Sequence, residues 1–490
     1  MHLPILPQPA TRPEQAPEAK EKCGVVAIWG AAHAASLAYL GMYAQQHRGQ
    51  EAAGIAVTDG QLLHAHTGMG LVPEVITDEL LQRMEAFNGR GAIGHNRYST
   101  AGGSLACNAQ PLLESYVGGQ VAIAHNGNLV NAAAFRRRFE HAGHLFHTTS
   151  DTEVIVHLLA SPAQQAAPDP LAATLRRLQG AFSLALLFHD RVELARDPWG
   201  WRPLVIGTLD DHGRTAYVAA SETIALDVLG ARFLREVEPG EIVTLSEAGL
   251  ASRRFSDPVP RPAHCVFEHV YFAHPASTVF GQNVQLAREA MGERLGTESP
   301  VVADFVAPMP DSGRSAAIGF ARVTGIPLRE AIVPNRYVGR TFIRPTQAQR
   351  QLAVRLKLNV VEDIVRGKRV VIVDDSIVRG TTTRAKIAQI RAAGALEIHL
   401  RISCPPIKHP CFFGVDFATR EQLIAADKTP SQIRDFLGVD SLAFLSLPGL
   451  LSVMKRPGTH YCDACYTGDY RVDVDNPSTD PAAVGQLAMF

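Results

Sequence analysis

The chain has 490 residues, which is too long for one ordinary hydrophobic core and favours two domains of roughly 200 residues each. Acidic and basic residues nearly cancel to a formal net charge of -1, which argues against a protein that binds nucleic acid or coats an anionic membrane. No apolar run approaches the roughly 20 residues that cross a bilayer, and the Pro-rich, charged residues 1–22 do not resemble a signal peptide, so we expect a cytoplasmic protein.

The region after residue 22 predicts a mixed α/β layer domain. Short β-rich runs such as GVVAIWG, GIAVTDG and VAIAHNG follow one another, separated by Gly, Asn and Asp turn signals. Helical stretches over 151–159 and 171–179 lie between some of them. The pattern ends near residue 256, and the Pro-rich segment DPVPRPAH over 257–264 indicates a linker.

Beyond the linker, apolar strands alternate with longer helices, which the pattern predicts over 315–323 and 384–393. Such alternation predicts a parallel sheet that binds its ligand at the carboxyl ends of the strands. The domain boundaries that follow are 23–256 and 257–455, with a C-terminal segment over 456–490.

The most specific motif of the second domain is VVIVDDSIVRGTT, which spans Val370 to Thr382. Hydroxyl groups and backbone N–H groups at a helix N-terminus hold a phosphate, and paired acids reach ribose hydroxyls or a magnesium ion. A bare pair of acids is more often a plain acidic turn, but the whole string resembles the phosphoribosyl pyrophosphate (PRPP) loop of type I phosphoribosyltransferases. The resemblance implies that the PRPP and Mg²⁺ ligands are Asp374, Asp375, Ser376, Arg379, Gly380, Thr381 and Thr382.

Two further segments complete this expected site. In APMPDSGRSAAIGFA, the serine that matches the family pattern is Ser312, and the resemblance implies that it helps to hold the metal. The Arg-rich stretch over 334–359 has a plain interpretation as a solvated basic loop. Beside a pyrophosphate site, we favour a lid whose cations Arg340 and Lys357 neutralise the leaving group and exclude water.

The first half supplies a different chemistry, carried by five strings in this order: KCGVVAIWG, QQHRGQEAAGI, GHNRYSTAGG, AHNGNL and TSDTEV. Together they resemble the N-terminal-nucleophile glutamine amidotransferases. In that class a cysteine is activated by its own α-amine, which implies that Cys23 is the nucleophile. No separate histidine base is then needed, so we interpret His47, His95 and His125 as structural.

The same resemblance implies roles for further residues around the nucleophile. Arg97 clamps the glutamine carboxylate through its planar guanidinium, and Asp151 pairs with the substrate ammonium. Asn126 and Gly127 supply a side-chain amide and a backbone N–H to the tetrahedral oxyanion. Arg48 helps to position the nucleophile.

An α-amine exists on Cys23 only after residues 1–22 have been removed, so we expect these residues to be a propeptide. Removal of the initiator methionine alone does not expose a residue at position 23. Lys22 departs from the family pattern, in which an acidic residue is common before the cleavage site.

Both half-sites occur on one chain, and from Cys23 to about Tyr470 the sequence resembles the amidophosphoribosyltransferases. The resemblance implies a four-layer αββα N-terminal-nucleophile hydrolase sandwich followed by a type I phosphoribosyltransferase α/β domain. It implies that ammonia released from glutamine attacks PRPP to give 5-phosphoribosylamine in the first step of purine synthesis. Feedback inhibition by purine nucleotides and a homotetramer are further expectations.

Three alternatives fit less well. A glucosamine-6-phosphate synthase needs sugar-isomerase domains and an asparagine synthase an ATP pyrophosphatase loop, neither of which matches residues 370–382. A regulatory protein that binds PRPP without turnover has no use for an intact glutaminase half. The string HPAS at 274–277 and the residues Trp199 and Trp201 depart from the family pattern. We expect these departures to affect communication between the domains and not to abolish the separate reactions.

Cysteines form the last pattern. A lone C-x-x-C pair suits a redox pair or half a zinc site, and four widely spaced cysteines suit zinc or an iron–sulfur cluster, which spacing alone does not separate. One branch of the amidophosphoribosyltransferases carries a 4Fe–4S cluster, and the resemblance implies structural cluster ligands, with zinc as the alternative, at Cys265, Cys404, Cys462 and Cys465. Cys107 and Cys411 are interpreted as ordinary thiols outside the pattern.

Overall fold

A computed structural model describes residues 23–98, 105–334, 358–415, 417 and 419–474. The two cations assigned to the lid, Arg340 and Lys357, lie outside the described residues. Within the described ranges, the search for a helix both long and apolar enough to span a membrane found none.

The first half is built on two antiparallel sheets. Their strands are β1 (Gly24–Trp29), β2 (Ala52–Thr58), β3 (Leu63–Met69), β4 (Gly91–Arg97), β5 (Leu112–Tyr116), β6 (Gly119–Leu129), β7 (Gly180–Leu187), β8 (Arg191–Arg196), β9 (Val205–Asp211), β10 (Arg214–Ala220), β11 (Arg232–Glu236), β12 (Glu241–Ser246) and β13 (Gly249–Arg254). One sheet has seven strands in the order β11-β9-β10-β1-β4-β2-β3, and the other has six in the order β13-β12-β8-β7-β6-β5.

Helices cover the outer face of each sheet. They are α1 (Ala34–Ala44), α2 (Val72–Val75), α3 (Asp78–Glu85), α4 (Ala132–His141), α5 (Thr152–Ala160), α6 (Pro162–Gln165), α7 (Pro170–Leu175) and α8 (Thr223–Leu229). The predicted helix over 171–179 ends early at Leu175, because the tertiary structure uses the backbone of Gln179 to bond Val130 and Asn131. The helix expected over 151–159 is α5.

The alternation of side chains along the strands produces the layers. On β1, Val26 and Ile28 face the helices, while Val25 and Ala27 face the second sheet, because successive strand residues point to opposite faces. A third apolar cluster lies between the second sheet and helices α4, α5 and α7. This arrangement of helices, sheet, sheet and helices confirms the predicted four-layer αββα sandwich.

The second half has one main core and a parallel sheet. Its strands are β14 (His264–Cys265), β15 (Thr278–Val279), β16 (Gln282–Asn283), β17 (Phe305–Pro308), β18 (Ile332–Pro334), β19 (Leu358–Val360), β20 (Arg369–Asp374), β21 (Glu397–Ile402), β22 (Ser441–Phe444) and β23 (Tyr461–Cys462). Its helices are α9 (Val284–Glu298), α10 (Arg314–Thr324), α11 (Glu362–Val365), α12 (Thr381–Ala392), α13 (Ile424–Asp427), α14 (Pro430–Leu437), α15 (Leu447–Ser452) and α16 (Ala464–Thr467).

The main sheet of this half runs β17-β20-β21-β22, with every neighbouring pair parallel. The predicted α/β domain is therefore confirmed, and α10 and α12 correspond to the two helices expected near 315–323 and 384–393. Because β17 and β20 are neighbours, the polar turns that follow them meet at one edge of the sheet. The short strand β23 pairs in parallel with β14, which joins the C-terminal segment to the linker.

Candidate active sites

Cys23 lies at the start of β1 with its thiol buried, and Sγ is 3.6 Å from the carbonyl oxygen of Tyr98. Burial raises the pKa of the Cys23 thiol, a hydrogen bond to Tyr98 and the charges of Arg97 and Arg48 lower it, and Asp151 raises it. The net pKa is above the ordinary value. A thiol in this environment needs a nearby base to become a nucleophile.

The two residues expected to hold glutamine lie close to this thiol. Arg97 ends β4, and its guanidinium NH1 is 3.7 Å from a carboxylate oxygen of Glu51. Asp151 immediately precedes α5, and its Oδ2 accepts a hydrogen bond of 2.8 Å from the backbone N–H of Leu129. The fold thus brings a cation and a carboxylate from separate segments to the Cys23 thiol.

The expected oxyanion residues lie on β6. Asn126 Nδ2 donates to Ser221 Oγ at 3.3 Å, and the same hydroxyl accepts from the backbone N–H of Val25 at 3.0 Å. This hydroxyl therefore connects β6 to β1, the strand that follows Cys23. At Gly127 a Cβ would lie 2.0 Å from the carbonyl oxygen of Ala181, with φ at +153°, so the position accepts only glycine.

Arg48 connects the backbone of Cys23 to two buried carboxylates. Its Nε donates to the carbonyl oxygen of Cys23 at 3.1 Å. Its terminal nitrogens donate to Glu222, and to both oxygens of Glu268 at 3.0 Å each. Sequence reasoning missed both acids. No spacing rule links Glu222 or Glu268 to Arg48. The only sequence signal was the residue type, because Glu222 lies in a string that matches the family and Glu268 is a charged residue within an apolar string.

The histidines near the site make structural contacts. His95 Nε2 is 3.0 Å from the carbonyl oxygen of His125, so this nitrogen carries the proton. Burial lowers the pKa of His95 to about 3, which keeps the ring neutral. His47 Nε2 lies 2.9 Å from a carboxylate oxygen of Glu222.

The acidic pair of the second half lies at the carboxyl end of β20. Asp374 Oδ1 accepts from the backbone N–H of Asp375 at 3.0 Å and from Ser312 Oγ at 3.5 Å. Burial raises the pKa of Asp374 well above its ordinary value, and the neighbouring charge of Asp375 raises it further. The fold brings Ser312 to the acidic pair because β17 and β20 are adjacent.

The turn after the acids leads into α12. Gly380 adopts φ of +75° immediately before that helix begins at Thr381, followed by Thr382. This left-handed conformation favours glycine and leaves the first N–H groups of the helix directed out of its end. Ser376 Oγ donates to Asp375. Arg379 donates to Gln422, so its guanidinium faces the short helical turn at Arg420–Gln422.

The cysteine region joins the linker, the sheet and the C-terminal segment. Cys265 and Cys462 are partners in the register of β14 and β23, and Cys465 lies on α16. Cys404 follows β21, where its Sγ is 3.2 Å from the carbonyl oxygen of Pro405. The four predicted ligands are buried free thiols.

Cys411, which the sequence pattern set apart, lies in the same region. The backbone N–H groups of Lys408 and His409 both donate to the carbonyl oxygen of Cys465, at 2.9 and 3.0 Å. These bonds hold the segment just before Cys411 beside α16. Burial raises the pKa of the Cys465 thiol, and it is raised further, in decreasing order, by Cys462, Cys411, Cys265 and Cys404. Cys411 is therefore not an isolated thiol. In the part of the chain that the structure describes, no group of three or more His, Cys, Asp or Glu side chains is arranged to hold a metal ion.

Comparison with known proteins identifies the family. Residues 95–228 match a family described as a glutamine amidotransferase domain. The amidophosphoribosyltransferase of Bacillus subtilis is 48% identical over 459 residues, covering 93% of this chain and 95% of that protein. The amidophosphoribosyltransferase of Methanocaldococcus jannaschii is 44% identical, covering 92% of this chain and 98% of that protein.

The chain belongs to the amidophosphoribosyltransferase family. Among solved structures, the glutamine PRPP amidotransferase of B. subtilis in complex with ADP and GMP is 46% identical, with a TM-score of 0.85 over 93% of this chain and 99% of that one. A structure described as the allosteric regulatory enzyme of purine biosynthesis has the same identity and TM-score, covering 92% of this chain and 97% of that one. The predicted family, two-domain fold and enzyme class are confirmed.

Proposed function

We propose that this amidophosphoribosyltransferase hydrolyses glutamine at Cys23 and transfers the ammonia to PRPP bound at the loop after β20. The observation that carries the proposal is the convergence of Arg97, Asp151 and Arg48 on the buried Cys23 thiol. A guanidinium and a carboxylate near one thiol match the carboxylate and ammonium of an α-amino acid substrate.

The first reaction uses a base that cleavage of the chain creates. Removal of residues 1–22 frees the α-amine of Cys23, which takes the thiol proton as sulfur attacks the glutamine amide carbon. Asn126 Nδ2 and Gly127 N–H stabilise the oxyanion of the tetrahedral intermediate. That proton then goes to the departing ammonia, and water hydrolyses the thioester to glutamate.

In the second reaction, ammonia attacks the anomeric carbon of PRPP and pyrophosphate departs. Hydroxyl and N–H groups at Ser376 and at residues 379–382 are suited to a phosphate at the start of α12. Buried Asp374 with Ser312 and Asp375 provides an all-oxygen donor set that fits Mg²⁺, and this ion, when bound, neutralises charge on the pyrophosphate. Arg340 and Lys357 stay predicted lid cations.

The cysteine region offers a donor set whose chemistry suits an iron–sulfur cluster, because its cysteines are free thiols that lie near enough for their charges to act on one another. Cys265, Cys462 and Cys465 would be three of its ligands. For the fourth we propose Cys411 over the predicted Cys404. The backbone N–H groups of Lys408 and His409 bond to the carbonyl oxygen of Cys465, which holds the segment before Cys411 beside α16, and the charge of Cys411 raises the pKa of both thiols of the C-x-x-C pair.

Regulation and assembly extend the proposal. The B. subtilis relative was solved with ADP and GMP, which supports purine nucleotides as feedback inhibitors of this enzyme. A homotetramer, which the family resemblance implies, and a cytoplasmic location, which the sequence predicts, complete the proposal.

Two measurements test the central assignment. Intact mass and N-terminal sequencing of the purified active protein should give a chain that begins at Cys23. Cys23→Ala should abolish glutamine-dependent synthesis and retain synthesis from ammonium salts, whereas Cys107→Ala, at an exposed thiol, should retain both. Full glutaminase activity in a chain that still begins at Met1 would contradict the proposal.

A further inference from the structure

We propose that Glu268, in the second half of the chain, is a positioning residue for glutamine hydrolysis in the first half. The inference rests on the proposed role of Cys23 as nucleophile. In this view the glutaminase site is completed only when the phosphoribosyltransferase half is docked against it, because Glu268 holds the nucleophile at a set position relative to the oxyanion strand.

The first contact joins Glu268 to the nucleophile. Glu268 begins the π-helical turn Glu268–Phe272, within the segment that packs into the core of the second half. Its side chain is fully buried, and its two oxygens accept from the two terminal nitrogens of Arg48 at 3.0 Å each. Arg48 Nε in turn holds the carbonyl oxygen of Cys23. A two-point contact of this kind fixes the orientation of the guanidinium as well as its distance.

The second contact leads away from the nucleophile through Arg202. Arg202 NH1 donates to Glu268 Oε1 at 3.2 Å, so one carboxylate is shared by two guanidinium groups. Arg202 Nε donates to the carbonyl oxygen of Phe413 at 3.0 Å. Glu268 therefore connects the backbone of the nucleophile to the backbone of the segment 412–414.

The third contact returns to the oxyanion strand. The carbonyl oxygen of Phe412 accepts from Asn128 Nδ2 at 2.8 Å, two residues after Asn126. A Cβ on Gly414 would lie 3.1 Å from the carbonyl group of Gly127, so the two backbones are in close contact. The set of contacts thus begins at Cys23, passes through Glu268, and ends at the strand that carries the oxyanion donors.

Charge balance makes this network rigid. Arg48 and Arg202 are both buried, and the carboxylates that face them are the buried Glu222 and Glu268. In a low-dielectric interior, unpaired charge is strongly unfavourable, so each group is held where its partners are. Small errors in the alignment of reacting atoms are costly in rate. A displaced guanidinium at Arg48 would therefore slow the chemical step more than it would weaken glutamine binding.

The test compares Glu268→Gln with Glu193→Gln in the processed enzyme, which begins at Cys23 and contains both halves of the chain. Glu193 is a buried carboxylate in the same half as Cys23, paired with Arg191 and Arg253, so it controls for loss of a buried charge. For Glu268→Gln we expect kcat for glutamine hydrolysis to fall about 10-fold to 100-fold, with KM for glutamine within about twofold of the unmodified enzyme. Glu193→Gln should keep the kcat of the unmodified enzyme.

A kcat for Glu268→Gln equal to that of the control overturns the inference. If Glu268→Gln does not fold, Asn128→Ala is the deciding variant. The Asn128 side chain is half-buried, and its loss removes the hydrogen bond to the carbonyl oxygen of Phe412. An unchanged kcat in Asn128→Ala also overturns the inference. Cys23→Ala is measured in parallel. Glutaminase activity in that variant refutes the nucleophile assignment, whereas its loss together with a normal Glu268→Gln refutes the positioning role alone.

Discussion

Gly414 meets Gly127 backbone to backbone where the two halves of the chain join, with φ of +96° at Gly414 and only 3.1 Å between an added Cβ and the Gly127 carbonyl. The contact joins the segment that follows Cys411 to the strand that carries the proposed oxyanion donors. Each half of the enzyme therefore presents backbone to the other at the point where glutamine hydrolysis is proposed to occur.

Gly127→Ala should strongly reduce glutamine hydrolysis, because its Cβ would lie 2.0 Å from the carbonyl oxygen of Ala181 and displace the N–H that we propose faces the oxyanion. Loss of one such donor costs about 100-fold to 1,000-fold in kcat. Steady-state glutaminase assays measure the loss, and ammonia-dependent synthesis serves as the internal control. Gly143→Ala, at a position with positive φ and open space, is the matched substitution and should keep glutaminase activity. Normal turnover by Gly127→Ala would exclude this N–H as an oxyanion donor.

Cys411→Ser should remove the proposed cluster, whereas Cys404→Ser should retain it. The reason is that the bonds of Lys408 and His409 to Cys465 hold the segment before Cys411 beside α16, and the charge of Cys411 raises the pKa of both Cys462 and Cys465. Iron and acid-labile sulfide per chain are the measurements, with Cys107→Ser as the exposed control. Loss of iron from Cys404→Ser with full iron in Cys411→Ser would restore the original prediction, and zinc in place of iron would favour the alternative metal.

His269→Gln should make the enzyme more resistant to acid. Burial lowers the pKa of His269 to about 4 from an ordinary value of 6.5. As pH falls from 6.5 toward 4, the unfolded chain takes up a proton that the folded protein excludes, so the free energy of unfolding drops by roughly 3 kcal/mol from this group. The Gln amide retains a donor for the carbonyl oxygen of Val279, which His269 Nε2 contacts at 3.1 Å.

Denaturant unfolding at several pH values measures this effect. The slope of unfolding free energy against pH between 4 and 6.5 should be smaller in His269→Gln than in the unmodified protein. His189→Gln, at an exposed histidine, should leave the slope unchanged. Equal slopes in all three proteins would show that His269 is not excluded from protonation in the fold.

Trp201→Ala should weaken the junction between the halves. The Trp201 ring is fully buried and stacks on Phe413 with centroids 4.3 Å apart and an interplanar angle of 18°. Removal of such a ring costs about 3–5 kcal/mol. A drop in the thermal midpoint measures the loss, Trp201→Phe should retain most of the stability, and an unchanged midpoint in Trp201→Ala would contradict a packing role. Trp201, a departure from the family pattern, thus has a structural explanation at the junction.

Much of each site could be predicted from local sequence alone. A β-branched run followed by Asp374, Asp375 and a Gly-Thr-Thr turn determines a strand, its carboxyl end and a helix N-terminus, since strand alternation and helix initiation depend on neighbouring residues. The roles of Cys23 and Gly127 came instead from the resemblance of their strings to a known family, and they stay predictions.

What only the tertiary structure decided are pairings between distant segments. Glu268 meets Arg48 across 220 positions of sequence, and Cys411 reaches the C-x-x-C pair through backbone bonds of Lys408 and His409 to Cys465. No periodicity or motif spacing encodes such contacts. They arise because burial forces charged and polar groups to find partners, and the packing of the two halves determines which partners are within reach.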